Sequence, residues 1–88
     1  MKEIFYVEVT DTYGGEANYC WVKRFKVSAS TARGAMRKVE RHMPFVGGVK
    51  KEWDWGDGQR WTWRRAAVCA FVEYYTDHAE RKMFVESI

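Results

Sequence analysis

From residue 53 to residue 63 the chain reads Trp-Asp-Trp-Gly-Asp-Gly-Gln-Arg-Trp-Thr-Trp, so four of its five tryptophans stand at every second position on either side of a Gly-Asp-Gly turn. Two alternating arms joined by a glycine-rich turn read as an antiparallel hairpin. Side chains alternate faces along a strand, so Trp53 and Trp55 on one arm and Trp61 and Trp63 on the other are expected on a common face, where aromatic cross-strand pairs form. That face is either core or a contact surface. Cross-strand indole pairs contribute about 0.2–1 kcal/mol each to a hairpin, and a small domain can use them for that alone. Exposed indoles instead suit protein hot spots or stacking on nucleic-acid bases.

At 88 residues the chain is read as one domain, 1–88, which would bury only about 60–65% of its extended surface. Fifteen aromatic residues are more than so small a core needs, so some are expected outside it. Glu3 and Glu8 interrupt any signal-peptide core, and the longest uncharged apolar run, Ala66 to Val72, is too short to span a bilayer. A soluble cytoplasmic protein without membrane contact is expected. Cys20 and Cys69 are too few for a disulfide framework or a zinc site and read as two buried free thiols.

The net charge of +3 is unevenly spread: residues 20–65 carry +8, residues 1–19 carry −3 and residues 66–88 carry −2. Such asymmetry concerns partners rather than fold. Its basic members, Lys23, Arg24, Lys26, Arg33, Arg37, Lys38, Arg41, Arg60, Arg64 and Arg65, form a candidate binding patch.

Along the chain, Phe5, Val7 and Val9 alternate with Ile4, Tyr6 and Glu8, which predicts a half-buried strand over 3–10. Residues 11–18, with Gly14-Gly15, read as a loop, and 19–29 as a second strand paired with the first throughout. Ser28, Ser30 and Thr31 offer caps for a helix that runs through Met43 and stops at Pro44. Its apolar stripe is Ala32, Ala35, Met36, Val39 and Met43, opposite Arg33, Arg37, Lys38 and Arg41. The hairpin arms follow at roughly 49–55 and 60–65. Residues 65–75 are ambiguous, since their alanines permit a helix, but Val68, Phe71, Val72, Tyr74 and Tyr75 favour a buried strand; a turn over 76–81 and a last strand over 82–86 follow. The expected fold is α+β, a mainly antiparallel sheet in the order β-β-α-β-β-β-β with one amphipathic helix on one face. One helix covers one face only, so the other must be solvated, buried in an oligomer such as a homodimer, or used for a partner.

Arg33, Arg37 and Arg41 stand at i, i+4 spacing, which costs about 0.2–0.5 kcal/mol per pair in an isolated helix, so the stripe reads as a solvated face or as one that tracks phosphates. Ala70-Phe71-Val72-Glu73-Tyr74 partly matches the end of the RNA-recognition octamer, but Ala67, Val68 and Cys69 stand where that motif wants a basic residue, glycine and an aromatic. No catalytic group is recognisable: His42 and His78 have no paired nucleophile, Asp54 and Asp57 suit turn chemistry, and no glycine-rich phosphate loop opens a helix. Neither cofactor nor metal is expected.

The run Phe25-x-Val27-x-Ala29 leading into a capped helix, within residues 19–43, resembles small single-domain proteins of bacteriophages and mobile elements, including the anti-CRISPR inhibitors. No family-specific residue carries over. The resemblance implies a non-enzymatic inhibitor or adaptor that occupies a surface of a protein or nucleoprotein complex, such as a CRISPR effector, in the host cytoplasm. The alternative from the residues alone is a nucleic-acid-binding module that joins the basic helix to an indole platform.

Overall fold

A computed structural model describes residues 3–74 and 86–88. Strand β1, Glu3–Tyr13, pairs antiparallel with β2, Glu16–Ala29. Alternation sorts their side chains: Phe5, Val7 and Val9 of β1 share one buried face with Phe25, Val27 and Ala29 of β2, while Glu8, Arg24 and Lys26 lie on the other. The loop expected over 11–18 contracts to a turn at Gly14 and Gly15, whose φ values of 64° and 86° suit residues without a β-carbon. Both strands run on past an irregularity between Thr10 and Thr12, where Tyr19 adopts a φ of 53°.

Helix α1 spans Ala32–His42, close to the expected limits. Thr31 Oγ1 accepts a hydrogen bond from the Gly34 amide at 3.0 Å, satisfying one of the free donors of the first turn. Arg41 and His42 occupy the last turn, where positive charge suits the helix dipole, and Pro44 follows the Met43 cap. Ala32, Ala35, Met36 and Val39 are buried against the sheet; Arg33, Arg37 and Arg41 face solvent.

The remaining strands are β3 (Val49–Asp54), β4 (Gly58–Trp63), β5 (Val68–Tyr74) and β6 (Glu86–Ser87). The sheet order is β3-β4-β5-β1-β2-β6; five strands are antiparallel and β6 lies parallel to β2. The α+β architecture and element order are as expected. Residues 68–74 form a strand because Val68, Ala70 and Val72 fill the face toward α1 while Cys69, Phe71 and Glu73 take the other, a period of two that a helix cannot supply. The turn expected over 76–81 and most of the strand expected over 82–86 fall outside the described residues. The core lies between this inner face and α1, with Phe45 packed against its rim.

The four hairpin tryptophans do not share a face. Val49 pairs with Trp63 and Lys51 with Trp61, but then Trp53 pairs with Arg60 and Asp54 with Gln59, leaving Glu52 as an extra residue on β3. This bulge reverses the alternation, so Trp53 turns to the outer face beside Arg60 while Trp61 and Trp63 stay in the core. Trp61 and Trp63 are 4% and 3% exposed, against 65% and 46% for Trp53 and Trp55. The two thiols are likewise unequal: Cys69 is buried but Cys20 is exposed, because it sits in the irregular part of β2.

Candidate interaction surface

The exposed end of the hairpin is held in shape by a short polar relay. Asp54 Oδ1 accepts from the Gly56 amide at 2.9 Å and its Oδ2 from Gln59 Nε2 at 3.0 Å; Gln59 Oε1 in turn accepts from Trp61 Nε1 at 2.9 Å. The Gly56 amide, chiefly, holds the Asp54 carboxyl below its ordinary value. Trp55 lies over Gly58, where a β-carbon would come within 2.7 Å of the indole Cζ2 and 2.8 Å of the Val72 carbonyl oxygen. A buried indole and an exposed one are thus tied through one turn.

On the outer face Arg60 is the hub. Its Nη2 donates to the Gly15 carbonyl at 2.8 Å, its Nε lies 3.2 Å from Glu52 Oε1, and its guanidinium stands 5.7 Å from the centroid of Phe71. Tyr19 stacks on the same Phe71 ring at 6.3 Å and 9°. The tip of the β1–β2 hairpin therefore folds over the sheet and occupies Phe71, which does not stand open as the ring of an RNA-recognition strand would. Burial, and then the nearby Glu8, pushes the Tyr19 hydroxyl above its ordinary value.

The ten basic residues read as one patch are divided among several places. Strand alternation puts Lys23 on the inner face, its Nζ 5.7 Å from the Phe25 ring, and Arg24 and Lys26 on the outer one. Arg24 Nε donates to Glu8 Oε2 at 2.9 Å, Lys26 Nζ lies 5.9 Å from the Tyr6 ring, and Lys38 Nζ, half-buried, donates to the Ser28 carbonyl. Arg33 stands 5.9 Å from the Trp61 ring. Arg64 and Arg65 are exposed beside the start of β3, where the Arg64 amide donates to Gly48 O and the Arg65 side chain lies against Gly47.

A cleft of about 440 Å³ crosses the inner face between the start of α1 and the hairpin; Glu3, Thr31, Arg33, Lys51, Gln59 and Trp61 line it. Lys51 was not singled out by the sequence, nor were Tyr19 and Phe71 as a stacked pair. Their signal was the period-two pattern itself, which the bulge at Glu52 and the positive φ at Tyr19 interrupt.

Among the described residues no group of three or more His, Cys, Asp or Glu could hold a metal ion. No helix among them is long and apolar enough to cross a membrane. What the surface offers among the described residues is contact area: rings, a braced arginine and an edge strand. Against family models, curated proteins and solved structures, the chain matches none. Its function must be argued from its own residues.

Proposed function

We propose that this chain is a non-enzymatic binding protein that occupies a surface of a protein or nucleoprotein complex, in the manner of the phage-encoded inhibitors it resembles. The observation that carries the reading is the exposure of Trp53 and Trp55 on a hydrogen-bonded hairpin end, 65% and 46%, in a domain short of core. Tryptophan is the residue most enriched at binding hot spots, where the surrounding contacts exclude water. Leaving two indoles outside costs a small fold hydrophobic burial that contact with a partner restores.

Nucleic-acid binding is the weaker reading, because its two halves point apart. Arg33, Arg37 and Arg41 lie on the solvent side of α1, over the inner face, whereas Trp53 stands on the outer face of the sheet. Arg24 and Arg60, which share that outer face, are engaged with Glu8 and Glu52. A strand of nucleic acid would have to wrap round the molecule to use both.

The test is a pull-down from nuclease-treated bacterial lysate with the tagged chain and with a Trp53→Ala, Trp55→Ala variant. A defined protein complex held by the parent chain and lost by the variant is expected. Retention that disappears on nuclease treatment, or that is indifferent to both indoles, overturns the proposal.

A further inference from the structure

Resting on that reading, we propose that the open edge of β3 receives an extended acidic segment of a partner protein, added to the sheet as a further strand. Strand β3 ends the sheet order, pairs only with β4 among the described residues, and is exposed from Lys50 to Asp54. In an edge strand every second residue turns its N–H and C=O away from the sheet. Those groups form a ready template for another strand.

Three features select the occupant. The first is charge: Lys50 and Lys51 lie on β3, Arg64 and Arg65 are exposed beside its start, and Arg33 reaches toward it from α1. Lys51 is already 3.6 Å from Asp54, but both side chains are more than two-fifths exposed, so an incoming carboxylate can take its place. Glu52 is turned to Arg60, and Glu3 lies on β1 at the far end of the cleft, three strands away. The second feature is shape. The cleft holding Arg33, Lys51 and Trp61 flanks β3 on the inner side, and Trp53 flanks it on the outer side. An added strand, alternating its side chains, would set carboxylates into the cleft and the intervening residues beside Lys50 and Trp53.

The third feature is the mixture of donors and acceptors along the edge. A peptide backbone satisfies both, whereas a phosphodiester offers acceptors alone and leaves the carbonyls unpaired. The bulge at Glu52 and the two lysines are the devices by which sheets discourage edge-to-edge pairing of identical copies. They admit a strand of opposite charge and disfavour a second copy of this one.

The experiment titrates the whole isotope-labelled chain with an acetylated, amidated hexapeptide, Thr-Glu-Val-Glu-Val-Thr, with its lysine-for-glutamate counterpart, and with a ten-base oligothymidine, following backbone amides by NMR. The acidic peptide is expected to shift the amides of residues 49–53 and to bind at least about tenfold more tightly than the lysine peptide, with the preference falling as salt rises. Lys51→Glu and Arg33→Glu should each weaken it severalfold without changing far-ultraviolet circular dichroism. Absence of shifts at 49–53 at millimolar peptide, equal affinity for the lysine peptide, or stronger shifts there with oligothymidine overturns the inference. Should the peptide fail while the indole-dependent complex persists in the pull-down, the edge is refuted and the binding function stands; a bound peptide with no such complex refutes the function instead.

Discussion

Replacing Trp61 by alanine and replacing Trp53 by alanine change the same residue type one strand apart, yet the bulge makes the consequences unequal. Trp61 is 4% exposed, and an indole of ~200 Å² removed from water at ~25 cal/mol/Å² gives an upper bound of ~5 kcal/mol. Its loss also leaves Gln59 Oε1 without the donor at 2.9 Å. Measured Trp→Ala costs in cores of about 3–5 kcal/mol agree, so about 4 kcal/mol is expected here. Trp53 is 65% exposed, and the third of its surface that is covered bounds its contribution at about 1.7 kcal/mol. Urea unfolding of both variants, followed by far-ultraviolet circular dichroism, should therefore separate them by about 2–3 kcal/mol, with the melting temperature of Trp61→Ala lower than the parent's by roughly 15–30 °C. A separation below about 1 kcal/mol would refute the division of the indoles into core and surface.

Three further outcomes follow from the geometry. Gly58→Ala brings a β-carbon to 2.8 Å from the Val72 carbonyl oxygen, backbone that cannot swing aside, so a loss of about 1–3 kcal/mol in chemical unfolding is expected, with a change in indole emission as Trp55 is displaced. Thr31→Ala removes the acceptor of the Gly34 amide and should cost about 1 kcal/mol, read as a lower urea midpoint at unchanged slope. Asp54, whose carboxyl is held below the ordinary 3.8, binds fewer protons folded than unfolded; its contribution is present above pH 3.8 and lost as pH falls through the folded value. In Asp54→Asn, stability measured from pH 6 down to about pH 2 should fall less steeply below pH 4 than in the parent.

Much of the fold was legible because short-range patterns agreed with one another. The alternation of Phe5, Val7 and Val9, the matching run Phe25, Val27 and Ala29, and a helix bracketed by Thr31 and Pro44 each specify an element that burial then confirms. The site was less legible. Lys51-Glu52-Trp53 contains no glycine or proline to announce an irregularity, so the reversal at the bulge has no local signal, and all four indoles appeared equivalent. The basic residues are a different case. Period-two alternation already separates Lys23 from Arg24 and Lys26, and grouping them by charge alone overlooked what the strand dictates. The Arg60 contact with Gly15 joins residues 45 apart in sequence, and no pattern confined to either segment contains it.

The extra residue at Glu52 means that position in the sequence and side of the sheet part company along β3: Trp53, two residues on from Lys51, lies on the opposite side from it. Deleting that single position would let Trp53 follow Lys51 directly in regular pleating, with the Trp53–Arg60 and Asp54–Gln59 pairs and their faces kept, and would remove only the carboxylate that lies against Arg60. A single inserted codon can thus set a carboxylate beside that arginine without changing which rings the molecule displays.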